Sequence, residues 1–582
     1  MSESNDPEAE LRYAVDEHPP HWVSALLGLQ HIALIVGGIA LTPLIVLQAT
    51  NTMEYATWVV FAAFLISGAT TVLQARPIGA FGSGYSLFMG TSGAFIAVSL
   101  AAVEAGGLPL LASLVIVSSL FQFVLSSRLG LLRRIVTPAV GGTVVMLIAV
   151  AIMPIAFKLL EKTPASFTGP DHYAPLVSST TFFVIVGICL FGRGQLRLWG
   201  PLIGLIIGWL TAFALGLVEL ENVQTADWVG LPEASWPGID LSFSETFWLL
   251  LPGFVICTIV GALETFGDGL AIQELSRRGK RPVDFKVVQG AVNADGIGNL
   301  LSGLAGTLPN TTYSTSLSVV ELTGVASRRV GIYGGLILLT LAFCPKLSAL
   351  LQTVPAPVLG PFLLILIVLL FAHGVRLVVS EGFGYEEGIL MGLAFWLGSG
   401  FQDQAVFSSH LPVWAHRLLD NGMTTGGLVA LILSVLIAVK RPKMHKLRVR
   451  ADAAGIAEVQ ERLVAEGART HMPPNVRTRL ELAIEEASTF LMESAKHSAE
   501  EMQVLYRARP GLIEVEFVAG PGEINAEESM QMLALTPEVS VDDARLRILR
   551  SMTDTLRHQQ FHGGDYLLLT LRFQRTSAGI AG

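Results

Sequence analysis

The chain has 582 residues, of which 52% are hydrophobic and only 15% charged, with a formal net charge of −9. So few charges cannot cover the surface of a water-soluble protein of this length, which excludes an ordinary soluble enzyme. The three cysteines, Cys189, Cys257 and Cys344, lie in or beside apolar runs. They read as small buried hydrophobes and exclude a disulfide framework or a cysteine metal site.

Residues 1–20 are acidic and polar without a basic n-region, so they read as a cytoplasmic tail, and the first span itself directs insertion. Apolar runs follow at 25–48, 56–74, 84–101, 108–127, 135–153, 178–193, 200–218, 247–271, 287–305, 314–326, 330–350, 357–377, 385–402 and 424–440. These are spans of a polytopic α-helical membrane protein. Every second loop is basic, as in Arg128, Arg133 and Arg134, then Arg277, Arg278, Lys280 and Arg281, then Arg328 and Arg329, then Arg376. The intervening loops hold only Lys158, Lys162, Lys346 and Arg417, and the longest, Glu219–Glu245, is acidic. The positive-inside rule then puts both termini in the cytoplasm, which needs an even number of spans, and fourteen fits.

The spans carry a repeat. Pro138-Ala139-Val140-Gly141-Gly142 opens the fifth and Pro357-Val358-Leu359-Gly360 the twelfth. Gly90-Thr91-Ser92-Gly93 precedes a short apolar run in the third, and Ser314-Thr315-Ser316 precedes a comparable one in the tenth. Both offsets are about 220 residues, or seven spans; seven is odd, so the second unit is inverted. The stretch Asp295–Arg328 contains the second interruption: Pro309, an extended Asn310-Thr311-Thr312-Tyr313, then a helix too short to cross a bilayer. Interrupted segments at matching places in two halves point to a transporter's central site, where half-helix N-termini offer unpaired N–H donors.

Ionisable residues stand inside the spans. Glu264 and Asp268 share one helix face at i and i+4 in the eighth. Such acids usually face a cavity and bind substrate or take up protons. His31, in the Gln30-His31 pair, is the lone histidine of the early spans and reads equally as a functional group or a hydrogen-bonded core residue. Asp295 reads equally as a helix cap at a membrane face or as a member of the site. Glu321, near the cytoplasmic end of the tenth span, reads as a solvated partner of Arg328 in preference to a cavity acid.

Together these residues resemble the nucleobase–ascorbate transporter family, also called nucleobase–cation symporter-2, over roughly residues 12–440. The resemblance rests on Gln30-His31, Gly90-Thr91-Ser92, Glu264 with Gly267-Asp268, Asp295-Gly296, Pro309-Asn310-Thr311-Thr312-Tyr313, and Leu322 through Arg328. It implies fourteen spans in two inverted seven-span repeats, divided into core and gate domains, a homodimer, and a nucleobase moved with a proton. It makes Glu264 the acceptor of N–H donors from a planar heterocycle. Backbone groups around Ser92, Gly93 and Phe95 and at Ser314, Thr315 and Ser316 complete the substrate site. His31, Asp268 and Asp295 become coupling or gating positions. The signature departs from the family where a Glu-Asn or Gln-Asn pair is usual: here Thr315, Ser316, Leu317 and Ser318 stand there. A hydroxyl is shorter than an amide or carboxylate and both donates and accepts, so the family's ligand is not carried over.

After Arg441-Pro442-Lys443 the composition becomes charged. Residues 477–495 and 541–556 read as helices, and Leu512–Phe517 and Tyr566–Phe573 as strands. Glu485-Glu486-Ala487, Ala519-Gly520-Pro521-Gly522 and Leu546 through Leu549 with Gly563-Gly564 resemble an anti-sigma-factor type of histidine-kinase-like ATPase domain. Phe490 replaces the magnesium-binding Asn of that family and Val518 its adenine-reading Asp, so the resemblance implies a degenerate domain that binds no nucleotide.

The sequence therefore divides into a tail at 1–20, a transporter domain at 21–442 and a cytoplasmic α+β domain at 443–582. It describes a multi-pass inner-membrane carrier of a nucleobase-like heterocycle (purine, xanthine, urate or pyrimidine), coupled to protons or sodium. No cofactor, metal, nucleic acid or enzymatic activity is expected; a cytoplasmic regulatory protein is a further partner. The alternatives are an anion carrier of the sulfate or bicarbonate type, and a membrane sensor signalling through the C-terminal domain.

Overall fold

The computed structural model describes residues 11–127, 137–164, 167–232, 236–278, 283–380, 382–402, 410, 412, 419, 421–440, 444–469, 472–494, 501–509, 511–520, 526, 541–561 and 564–573. Arg128, Arg133, Arg134, Lys280, Arg281, Arg417, the Arg441-Pro442-Lys443 junction, Pro521-Gly522 and Gly563 lie outside them. The chain forms two compact units, residues 1–126, 132–278 and 290–435 in one, and 127–131, 279–289 and 436–582 in the other.

The first unit is helical: α1 (His21–Thr50), α2 (Ala56–Ala75), α3 (Ile96–Ser127), α4 (Pro138–Glu161), α5 (Tyr173–Phe191), α6 (Gln195–Ala214), the short α7 (Glu221–Thr225), α8 (Glu245–Leu275), α9 (Phe285–Ala305), α10 (Thr315–Thr323), α11 (Arg328–Ala342), α12 (Pro345–Gln352), α13 (Ala356–Val379), α14 (Tyr385–Phe401) and α15 (Gly422–Lys440). Among the described residues, nine helices are long and apolar enough to cross a membrane, or ten if α11 and α12, bent by 81° to each other, count as one. Helix α3 merges two expected spans across a break at Gly106 and Gly107, whose φ of 73° favours glycine, and Pro109 restarts the helix just beyond.

Two groups of helices pack within this unit. One contains α1, α2 and α11. The other contains α4, α5, α6, α13 and α14. Lipid supplies no hydrophobic drive between helices, so close backbone approach has to. A Cβ at Gly142 of α4 would stand 2.4 Å from the carbonyl oxygen of Gly374 on α13, which leaves room for hydrogen alone.

Between α2 and α3 the chain is extended as β1 (Met89–Thr91), and between α9 and α10 as β2 (Asn310–Thr312). They pair antiparallel, Met89 with Thr312, Gly90 with Thr311 and Thr91 with Asn310. Ser92 N–H donates to the Pro309 carbonyl at 2.8 Å and Tyr313 N–H to that of Phe88 at 2.8 Å, lengthening the ladder by a bond at each end. The pairing satisfies backbone groups that no water reaches, the condition for irregular chain at membrane depth.

The described end of the N-terminal tail is strapped to the turn between α10 and α11. Arg12 N–H donates to Gly324 O at 2.7 Å and Ala326 N–H to Tyr13 O at 2.9 Å. Arg278 grips Glu17 with two nitrogens, at 2.6 and 2.9 Å. Arg328 pairs with Asp16, and Glu321 is exposed, which corrects the expected Arg328–Glu321 pair. The tail offers its acid from outside the helix, whereas Glu321 lies on a different helix, before the αL cap at Gly324.

The second unit is a five-stranded antiparallel sheet in the order β3 (His445–Arg450), β4 (Glu501–Arg509), β5 (Leu512–Ala519), β7 (Gly564–Arg572), β6 (Thr555–Phe561), with helices α16 (Ala453–Arg469), α17 (Pro474–Ser494) and α18 (Val541–Met552). Alternate residues Ile513, Val515 and Phe517 of β5 and Leu567, Leu569 and Leu571 of β7 are buried in one core with Leu480, Ile484 and Leu491 of α17. The helix expected over 541–556 ends at Met552, because Asp554 N–H donates to Thr570 O at 2.9 Å and Thr555 opens a strand along β7.

Candidate functional site

The antiparallel pairing of β1 and β2 sends the chain after each strand in opposite directions, so two helical segments start from one place with their N-termini together. After β1 come Ser92, a 3-10 turn Gly93–Phe95 and α3; after β2 come Tyr313, Ser314 and α10. A cavity of about 470 Å³ lies at this point. Ser92, Gly93, Ser314 and Thr315 line it, together with Glu264 from α8 and an apolar wall from α13. Phe95 N–H turns back to Ser92 O, and Ser316 and Leu317 N–H to Tyr313 O and Ser314 O. Gly93, Ala94, Ser314 and Thr315, ahead of those bonds, bring their N–H groups to the cavity's edge.

Gly90 lets this happen. Its Cβ would fall 2.2 Å from the Tyr313 ring, so only glycine admits the tyrosine across the strand pair. Tyr313 then donates its phenolic hydrogen to the Thr91 carbonyl at 2.9 Å, and Thr91 donates to Ile39 O of α1 at 2.9 Å. The two arms and α1 are held as one piece.

Behind Glu264 lies a buried polar network. Asp268, 5% exposed, accepts from Thr312 at 2.7 Å and from Ser314 at 2.8 Å. Hydrogen bonds to a charged partner are worth about 1.5–3 kcal/mol each, so these hydroxyls offset much of the cost of burying that carboxylate. The hydroxyls of Thr312 and Thr265 are 3.3 Å apart, and Thr265 donates to Asp295 at 3.2 Å. Asp295 also accepts from Gln122 of α3 at 2.7 Å. Asn299 donates to Gln122 at 2.8 Å and accepts from Asn310 N–H at 2.7 Å, closing the network on β2. Hydroxyls and carboxylates thus alternate from Ser314 and Asp268 inward to Asp295.

The residues singled out from sequence fall into three sets. Glu264, Ser92, Gly93, Ser314 and Thr315 line the cavity. Asp268 and Asp295 lie one layer behind it; Asp295 is fully buried inside α9 rather than capping a helix at a membrane face, because the chain is already helical from Phe285. His31, Phe95 and Ser316 do not line it. His31 donates through Nδ1 to Leu27 O at 2.8 Å and stacks on Phe88, centroids 4.4 Å apart. Ser316 accepts from Phe88 N–H at 3.1 Å, and Phe95 packs in the core near Phe254. Both therefore support the arms from behind.

Sequence reading passed over Thr312, Thr265 and Gln122, and over His373 and Arg376 of α13, which also line the cavity. The hydroxyl row of β2 was legible as a strand period, Thr312 being two residues from Ser314 and Asn310. Arg376 had been read only as a marker of a basic loop. Among the described residues no cluster of three or more His, Cys, Asp or Glu is placed to hold a metal ion.

Residues 23–407 match the model of a family of membrane permeases, described as the Permease family, which takes in the xanthine and uracil permeases. The chain belongs to that family. This is the nucleobase–ascorbate transporter family that its motifs resemble, and membership makes the protein a multi-pass membrane transporter rather than an enzyme. The xanthine permease XanP of Escherichia coli is 28% identical over 443 residues, 74% of this chain and 95% of the relative. XanQ of the same organism is 26% identical over 453 residues, 75% and 96%. The xanthine permease of Bacillus subtilis is 26% identical over 430 residues, 74% and 96%. Among solved structures, the transmembrane domain of the cyanobacterium bicarbonate transporter BicA is 16% identical with a TM-score of 0.45, covering 73% of this chain and 100% of that one.

Proposed function

We propose that the protein is a secondary active carrier of a nucleobase-like heterocycle, moved together with a proton across the plasma membrane by alternating access. The observation that carries this reading is one carboxylate, Glu264, facing a cavity where two helical segments begin. A carboxylate accepts from the ring N–H groups of a purine or pyrimidine, and the backbone N–H groups beside it donate to ring nitrogens and carbonyls. The network from Glu264 through Asp268 and Thr265 to Asp295 is where the coupling proton resides. The group of α1, α2 and α11, with the two arms, acts as the core that holds the ligand, and the group of α4, α5, α6, α13 and α14 as the gate. Fourteen crossings in two inverted sevens, both termini in the cytoplasm and a homodimer complete the proposal. The relatives named xanthine permeases support it.

Uptake of labelled xanthine, hypoxanthine and uracil into proteoliposomes, with an imposed proton or sodium gradient, tests it. Uptake driven by the proton gradient and inhibited by unlabelled purines supports the reading. Uptake of sulfate or bicarbonate instead would establish the anion-carrier alternative, which a cavity-facing carboxylate opposes. Saturable binding without any transport would establish a sensor.

The C-terminal unit we read as a degenerate kinase-like domain that binds no nucleotide and biases dimer stability or transport rate. Phe490 packs edge-on against His558, with ring centroids 5.7 Å apart, so it serves the core rather than presenting a metal ligand. Titration with ATP·Mg²⁺ is expected to show no heat at millimolar concentration; saturable binding would overturn the reading.

A further inference from the structure

We propose that His373 and Arg376, one turn apart on α13, form a second polar anchor of the transport site, which takes the carbonyl-bearing edge of the heterocycle. The inference rests on the carrier reading above and deepens it to a substrate class.

Both residues line the cavity that Glu264 lines, whereas the rest of what α13 contributes there is apolar, Leu363, Leu366, Ile367 and Leu370 among it. An apolar wall interrupted by one imidazole and one guanidinium at i and i+3 presents two donors on a single helix face. Among the described residues, no hydrogen bond or ion pair engages either side chain. The Nε2 atom of His373 is buried without a hydrogen-bond partner, and no described carboxylate forms an ion pair with Arg376. A buried ring nitrogen left unpaired costs free energy, and such groups in folded proteins are commonly matched by a ligand or water. A guanidinium is a planar fork that suits two in-plane acceptors.

The two anchors are chemically opposite. Glu264 accepts and is carried by α8; His373 and Arg376 donate and are carried by α13, which packs with α4 and α5. A ligand satisfying both has N–H donors along one edge and carbonyl oxygens along another, as a dioxopurine does. Hypoxanthine, with one carbonyl, satisfies the second anchor in part, and adenine, with none, leaves it unpaired. Because a ligand bridging the anchors touches α8 and α13 at once, it also draws these two helices together. Binding at the second anchor thus serves selection and closure at once.

The test is calorimetric titration of the full-length protein with xanthine, hypoxanthine and adenine, in the wild type and in Arg376→Gln, Arg376→Lys and His373→Phe. The wild type is expected to bind in the order xanthine, hypoxanthine, adenine. A site built to hydrogen-bond a ligand group discriminates strongly by leaving its own groups unpaired, so Arg376→Gln should cut the preference for xanthine over adenine by about tenfold or more. Arg376→Lys should restore part of that preference, and His373→Phe should lower it. Retained adenine affinity in the variants reports that the fold is intact. An unchanged preference, or an equal loss for all three ligands, overturns the anchor while leaving the carrier reading in place. Failure of the wild type to bind any purine overturns the anchor, and the carrier reading falls with it only if uracil uptake into proteoliposomes fails as well.

Discussion

The two arms that meet at the cavity, Met89–Gly93 and Asn310–Thr315, are built alike and equipped differently. Each is three residues of strand followed by the N-terminus of a helical segment, and each lies where the other's backbone satisfies it. The first arm is nearly bare: Gly90 and Gly93 give it close packing and open space, and of its two polar residues at the cavity, Thr91 and Ser92, Thr91 turns its hydroxyl to the Ile39 carbonyl. The second arm carries the hydroxyls of Thr311, Thr312, Ser314 and Thr315, two of which hold Asp268. The segment after the first arm runs ten residues before its break at Gly106, while α10 ends after nine residues at the αL residue Gly324. The first arm shapes the site and the second sets its chemistry. Symmetry of backbone thus coexists with division of labour among side chains.

The largest effect should come from the one carboxylate that faces both arms. Glu264→Gln keeps the volume but replaces one acceptor oxygen with an NH2 donor, leaving one N–H group of a bound ring unmatched. Buried unmatched polar groups cost about 1–3 kcal/mol, so substrate affinity should fall roughly 10- to 100-fold. Proton-driven uptake should be lost altogether while the protein still inserts and melts cooperatively. Near-normal uptake with unchanged pH dependence would remove Glu264 from the mechanism.

The shaping role of the first arm is broken at Gly90. A side chain there meets the Tyr313 ring, and overpacking of this kind costs about 1–3 kcal/mol. Gly90→Val should lower the melting temperature and uptake together, whereas Thr311→Val, at the paired position of the second arm, should be close to neutral for stability. Equal melting temperatures for the two variants would mean that the arms do not differ in packing.

The chemical role of the second arm is tested by Thr312→Val against Ser92→Ala. Loss of the Thr312 donor leaves Asp268 with one hydroxyl partner, at a cost of about 1–3 kcal/mol. Transport should drop about tenfold with a shift in its pH profile, since the affected group is a carboxylate. Ser92→Ala should change uptake by about twofold or less, because no hydrogen bond of its side chain to another described residue is formed. A larger effect at Ser92 than at Thr312 would reverse the assignment.

The smallest change should be one of preference. Thr315 lines the cavity at the start of α10 with a short hydroxyl. Thr315→Gln should redirect competition toward ligands with an additional N–H donor by a few fold, about 1 kcal/mol or less. An identical competition profile would show that Thr315 does not read the ligand.

Much of this was legible without coordinates, for identifiable reasons. Apolar runs long enough for a bilayer declare themselves by length, and interrupted segments recur at a fixed offset, so Glu264, Ser92, Gly93, Ser314 and Thr315 could be singled out from the chain alone. Where reading left alternatives open or missed a contact, the deciding information was distance. Asp295 looked able to cap a helix because its neighbours Asn293 and Gly296 suit a terminus; only the fold places it fully buried in α9 against Gln122, 173 residues away. His31, Phe95 and Ser316 belong to the right motifs but turn their side chains to the back of the arms, a matter of a few dihedral angles. Arg328 took Asp16 rather than Glu321, because the tail folds back on the α10–α11 turn.

Composition and periodicity, then, determined that this is a polytopic helical membrane protein with paired interruptions, an acid pair one turn apart on one apolar helix and a charged, strand-containing C-terminal unit, since each of these is a local property of consecutive residues. Which groups share one cavity was decided by the tertiary structure alone. Glu264, Thr315, His373 and Arg376 come from three helices far apart in sequence, and they meet because β1 and β2 pair across about 220 residues and because Gly142 and Gly374 let α4 and α13 touch. Such meetings depend on contacts between segments, and no local pattern encodes the partner of a strand or the neighbour of a helix.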